Sequence, residues 1–205
     1  LINIIIATYK SAEEINPLVQ EIQRETHSDY RLILTCQKDS AAVNRNYGLD
    51  RAESEIVIMI DDDTFGYKCD WEKNLIEPLK DINILAVSAR LMGKTFRGQV
   101  DYTKPGLVTC QNYDINKPVV EVKYIPTTCV AFRKTDLRFH EGFKGSGFED
   151  TYFFWQLQKR NINGKLVIYN EVKIKHKNEK KNQIEYWIEN TNLWNKLTNK
   201  AKWHG

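Results

Sequence analysis

The sequence predicts an α/β fold, a mainly parallel sheet with helices on both faces, and three observations predict it. Ile2-Asn3-Ile4-Ile5-Ile6-Ala7 is β-branched and almost wholly apolar, the pattern of a strand buried on both faces in a parallel sheet. Strand and helix patterns then alternate as βαβαβαβ over the first 90 residues. Polar clusters follow the first three apolar runs, where open α/β sheets hold ligands: Thr8-Tyr9, Gln37 to Ser40, and Asp61-Asp62-Asp63.

Each element has its own signal. After the first strand, Asn16-Pro17 reads as an N-cap and first helical residue, opening a helix to about Glu25 with Leu18, Val19 and Ile22 on one side. Tyr30 to Cys36 is the second strand. Ser40 caps a helix through Val43 and Tyr47 to Ala52, and Glu55 to Ile60 is the third strand. Trp71 to Leu79 is helical, and Ile84 to Ala89 is the fourth strand. The rhythm then breaks: Leu91 to Pro118 is polar with little periodicity and reads as loops and short antiparallel strands. Strands are expected over Val119–Tyr124, Cys129–Arg133 and Lys165–Ile174, and helices over Phe148–Arg160 and from Gln183 to about Lys202. Three glycines in Gly142–Gly147 mark a turn or mobile loop. Trp187 and Trp194 lie seven apart, on one face of the last helix, and are expected in the core.

The chain has 205 residues, enough for one full core, so residues 1–205 are read as a single domain. Hydrophobic residues make up 41% and charged residues 28%, which excludes a disordered class. The net charge of +3 is too balanced to argue for nucleic acid, which is not expected as a partner. From Lys165 onward nine Lys oppose four Glu, a solvated basic face compatible with a peripheral membrane contact. The apolar opening is too short for a membrane span or a signal peptide. Cys36, Cys69, Cys110 and Cys129 form no CxxC pair, and no His stands at zinc-finger spacing, so a reducing, cytoplasmic setting without structural zinc is expected. Cys36 and Cys129 border apolar runs and read as buried.

Three consecutive aspartates after an apolar strand repel one another unless a cation is present. A solvated acidic turn is the plain alternative; the position at the end of a buried strand favours Mg²⁺ or Mn²⁺, which take one or two carboxylates and complete their shell with water and phosphates. GxGxxG and GxxxxGK[ST] are both absent, which argues against nicotinamide and P-loop enzymes. Glu149-Asp150 opens a helix, where acids complement the helix dipole; the chemical reading makes one of them a general base. His176 stands among lysines that disfavour its charged form, which suits a metal ligand.

Taken together, these pieces resemble the inverting GT-A glycosyltransferases of family 2. Ile4 to Tyr9 resembles the opening strand and T-Y turn. Asn44-Arg45-Asn46-Tyr47-Gly48-Leu49, with Ala52 and Glu55, resembles the A-R-N-x-G stretch, with Asn44 where Ala is usual. Ile58 to Asp63 resembles the strand leading into D-x-D, and Gly142-Phe143 with Gly147-Phe148-Glu149-Asp150 resembles the G-F turn and E-D motif. His176 resembles the histidine one strand later, whereas Gln37 to Ser40 departs from the usual D-D-G-S-like run.

The resemblance implies a Rossmann-like GT-A domain whose residues 1–90 bind a nucleotide-sugar, a UDP-sugar first of all. Residues 91–205 would form the acceptor and catalytic half. It implies donor contacts from Thr8, Tyr9, Lys38, Asp39, Arg45, Asp61 and Asp62, and a Mn²⁺ or Mg²⁺ ion held by Asp61, Asp63 and His176. Asp150, or alternatively Glu149, would deprotonate a saccharide or other hydroxyl acceptor, with Lys144-Gly145-Ser146 as a lid. A sugar-nucleotide nucleotidyltransferase and a non-catalytic binding module are the alternatives.

Overall fold

The first strand, β1 (Ile2–Ala7), forms as expected and pairs in parallel with β2 (Tyr30–Thr35) on one side and β3 (Ile56–Asp61) on the other. A computed structural model describes residues 1–37, 39–92, 100–104, 107–110, 116–145, 147–177 and 184–198. Lys38, Ser146 and Trp203 therefore lie outside the described residues.

Between β1 and β2 runs α1 (Ala12–Glu25), which starts a turn earlier than Asn16-Pro17 suggests. Ser11 is the N-cap: its side chain accepts from Glu14 N, and the Glu14 carboxylate accepts from Ser11 N, so two otherwise orphaned donors are satisfied. Pro17 sits inside the helix. The next helix, α2 (Ala41–Arg51), begins at the expected cap, with Ser40 accepting from Val43 N. A two-residue strand, β4 (Thr64–Phe65), follows the aspartates; then come α3 (Trp71–Ile76), a 3₁₀ turn over Glu77–Lys80, and β5 (Ile84–Met92).

The polar stretch holds a small antiparallel pair, β6 (Val100–Lys104) with β7 (Leu107–Cys110). The remaining elements are β8 (Val119–Val122), β9 (Cys129–Arg133), α4 (Glu149–Arg160), β10 (Lys165–His176) and α5 (Ile184–Leu197).

Among the described residues the main sheet has eight strands, in the order β2-β1-β3-β9-β5-β10-β4, with β8 also on β10. The fourth predicted strand does not follow β3 in space. Antiparallel β9 separates β3 from β5. Its Cys129, Val130, Ala131 and Phe132 are all fully buried, so it competes for the sheet centre on equal terms with any parallel strand.

Successive residues of the central strands feed opposite faces. Ile4, Ile6, Ile58 and Ile60 pack with Ile15, Leu18 and Ile22 of α1 and with Trp71 and Leu75 of α3. Ile5, Val57, Met59 and Phe132 pack with Ala42 and Leu49 of α2 and Phe153 and Phe154 of α4. Gly48 lets α2 approach β1, since a Cβ there would lie 2.4 Å from Ile5 Cγ2. Cys36, at the end of β2, is exposed, against expectation: the apolar run stops at Thr35, and only Cys129 is buried as read.

A candidate active site at the carboxyl ends of the strands

Because β1, β2 and β3 run parallel and in register, the turns that follow them share one edge of the sheet. The aspartate turn is fixed from three sides. Asp61 N donates to Thr128 O at 3.0 Å, Thr64 Oγ1 donates to Asp61 O at 2.8 Å, and Lys177 N donates to Asp63 O at 3.0 Å. Antiparallel pairing sets Thr64 of β4 opposite His176 at the end of β10. The result is that Asp63 Oδ1 lies 3.0 Å from His176 Nε2, and Asp61, Asp63 and His176 offer ligand atoms all within 4.8 Å of one another. Two carboxylates and one imidazole at this spacing fit a divalent cation that completes its shell with water and phosphate oxygens.

Asp62 points elsewhere. Its Oδ2 accepts from Thr8 Oγ1 at 2.6 Å, and Lys10 Nζ donates to its main-chain oxygen at 2.8 Å and lies 3.6 Å from Oδ1. Thr8, Lys10 and Asp62 thus tie the β1 turn to the β3 turn. Lys10 escaped the sequence reading, although it follows Thr8-Tyr9 directly. Tyr9 is 55% exposed, and its hydroxyl donates to Asp39 O across the mouth of the site. The fully buried Asn44 organises the loop before α2, accepting from Gln37 N at 2.5 Å and donating to Gln37 O at 2.9 Å. An Ala here would leave those backbone groups unpaired.

Arg45 joins the two halves of the site. Its Nη1 donates to Glu149 Oε1 at 2.7 Å and its Nη2 to Asp61 Oδ1 at 3.1 Å, with the arginine only 7% exposed. Burial favours its neutral form, but Glu149, Asp61 and Asp150 outweigh that and raise its pKa further.

Glu149 is 3% exposed, and both of its oxygens are engaged, the second accepting from Gly147 N at 2.6 Å. Asp150 is only half-buried. Its Oδ1 accepts from Thr151 N at 2.7 Å, and its Oδ2 has no hydrogen bond among the described residues. Desolvation first, then the Glu149 carboxylate, push Asp150 up to about 7, against the pull of Arg45.

Phe148, which precedes the acid pair, has φ 73° and ψ −26°, a left-handed conformation that costs a non-glycine residue on the order of 1–3 kcal/mol. Its ring, 2% exposed, is held between Phe143, Trp187 and Trp194. Asn190 of α5 bonds Lys144 N and O, each at 2.9 Å, and donates to Gly147 O at 3.3 Å. The expected lid is therefore tied down at Lys144 and Gly147. Trp194 is core, as expected, at 2% exposed.

No protein-family model matches the sequence, and no curated protein matches it. Solved structures do. One is GalNAc-T7 with UDP, GalNAc and Mn²⁺, at 10% identity and TM-score 0.67 over 85% of this chain and 43% of that one. The fold is that of the GT-A glycosyltransferases. S. aureus TarS 1-349 in complex with UDP-GlcNAc aligns at 16% identity and TM-score 0.62, over 88% of this chain and 59% of that chain. The mannosyltransferase PcManGT from Pyrobaculum calidifontis, with GDP-Man and Mn²⁺, aligns at 15% identity and TM-score 0.61, over 88% and 58%. The chain thus spans 43% to 59% of the length of these three GT-A proteins. No helix among the described residues is long and apolar enough to cross a membrane.

Proposed function

We propose that this GT-A domain is a metal-dependent, inverting glycosyltransferase that moves a sugar from a nucleotide-sugar, a UDP-sugar first of all, to a hydroxyl acceptor. The observation that carries the reading is the Arg45 bridge, which links a group able to hold a metal to a carboxylate pair of unequal character on one sheet edge. The solved neighbours that hold UDP, UDP-GlcNAc or GDP-Man, two of them with Mn²⁺, support the same class of ligand.

A divalent cation held by Asp61, Asp63 and His176 would neutralise the donor diphosphate and stabilise it as a leaving group. Tyr9 and Asp39 face the nucleoside end, and the Thr8–Lys10–Asp62 cluster keeps the intervening turn in place. Asp150 takes the proton from the acceptor hydroxyl. The oxygen then bonds to the anomeric carbon from the face opposite the diphosphate, the carbon–diphosphate bond breaks, and configuration inverts. Glu149, with both oxygens engaged, serves as a brace rather than the base, and Arg45 keeps Asp61 and Glu149 in register.

The test is nucleoside diphosphate release from a panel of UDP- and GDP-sugars with Mn²⁺, with saccharide acceptors present. The reading expects release from one donor class and its loss in Asp150→Asn. Tight UDP binding with no release or transfer from any donor would contradict it, and pyrophosphate release from a nucleoside triphosphate would replace it with nucleotidyl transfer.

A further inference from the structure

At the opposite, amino-terminal edge of the sheet, a second group of ligating side chains converges. His27 lies in the turn between α1 and β2, and Cys69 and Asp70 immediately precede α3. His27 Nδ1 is 3.5 Å from Cys69 Sγ and 3.2 Å from Asp70 Oδ1, and Cys69 Sγ is 3.5 Å from Asp70 Oδ2. A tetrahedral zinc ion, with bonds of about 2.0 Å to nitrogen and oxygen and about 2.3 Å to sulfur, sets its ligand atoms roughly 3.3–3.6 Å apart. One ligand atom from each of the three residues lies within 4.8 Å of the other two, so small side-chain movements bring them to those separations.

We propose that His27, Cys69 and Asp70 form a second cation site, selective for a thiophilic divalent ion of the zinc class and separate from the Asp61–Asp63–His176 group. Thiolate with imidazole favours zinc over the Mg²⁺ or Mn²⁺ suited to the carboxylate-rich group. His27 and Cys69 are exposed, which leaves the fourth position to water.

Both arms are held in place before any ion arrives. The fully buried Glu72 accepts from His27 N at 3.0 Å and Ser28 N at 2.8 Å. Trp71 Nε1 donates to Thr26 Oγ1 at 3.0 Å, and Asp70 N to Glu25 O at 3.1 Å. Lys73 Nζ now lies 2.6 Å from Asp70 Oδ1; its half-exposed side chain can swing into water as the dication takes its place. His27 and Cys69 are 42 residues apart in sequence, so no short spacing motif betrays the site.

The experiment is a Co²⁺ titration of the full chain after chelator treatment, read by the thiolate-to-cobalt charge-transfer band and followed by displacement with Zn²⁺. The expected result is one equivalent of thiolate-bound cobalt in the parent, in Cys36→Ser and in Asp63→Ala. The band should vanish in Cys69→Ser, and His27→Ala should weaken Zn²⁺ binding more than about tenfold. Zn²⁺ should also raise the Tm of the parent but not of Cys69→Ser. Absence of the band in the parent, its survival in Cys69→Ser, or its loss in Cys36→Ser or Asp63→Ala would overturn the proposal. Because UDP binding is not the readout, failure here leaves the proposed transferase reading untouched, and the converse holds.

Discussion

Asp150 and Glu149 are neighbours in sequence with opposite surroundings. Glu149 is sealed against Arg45 and Gly147, whereas Asp150 keeps one oxygen without a hydrogen bond among the described residues. Replacing Asp150 by Asn should lower turnover on the order of 10²-fold or more, the usual cost of losing a general base, with donor affinity retained. A base must be deprotonated, so the kcat/KM profile should fall as pH drops through about 7, and the variant should lose that limb. Stability should move the other way. The folded Asp150 holds its proton from 3.8 up to about 7, so its ionised form costs stability that grows with pH across that window. Asp150→Asn should therefore raise Tm most above pH 7, by thermal melts across pH. At Arg45, Met in place of the guanidinium leaves Glu149 and Asp61 facing each other uncompensated. A loss of about 3–5 kcal/mol in urea unfolding is expected, the scale for breaking a buried ion pair from one side.

At the level of elements, two contacts position the site from a distance. Close approach of α2 to β1 depends on Gly48, and Gly48→Ala puts a methyl 2.4 Å from Ile5 Cγ2. Overpacking of this kind costs about 1–3 kcal/mol, to be read as a lower urea midpoint. Since α2 carries Asn44 and Arg45, activity should fall with it. The terminal helix α5 supports the strained Phe148 through Trp187 and Trp194 and holds the glycine loop through Asn190. Trp194→Ala should cost about 3–5 kcal/mol in the same unfolding assay. Much of this was legible in the sequence: β1 and α2 start where their apolar pattern and Ser40 cap say, and the acid pair opens its helix. The helix α1 starts at Ala12 and not at Asn16-Pro17 because a complete capping box at Ser11 and Glu14 satisfies its first donors. The strand β4 is two residues long, too short for any periodicity, yet its pairing with β10 brings His176 to Asp63.

Across the whole molecule, the sheet brings together residues that no local motif links: Asp61 with Glu149 through Arg45, and Asp63 with His176. Individual site candidates could be named from the sequence because they follow apolar runs. Their connections could not, since antiparallel insertion of β9 between β3 and β5, and the hydrogen bonds of Asn44 and Lys10, arise only once the chain is folded. The central claim is that the Asp61–Asp63–His176 group binds a divalent cation that in turn holds a nucleoside diphosphate. Calorimetric titration of UDP, with GDP as control, in Mn²⁺ and again in EDTA tests it most directly. The account predicts UDP binding in Mn²⁺ that is lost in EDTA and in Asp63→Ala. UDP affinity unchanged by EDTA, or no binding of either nucleotide with the metal present, would contradict it.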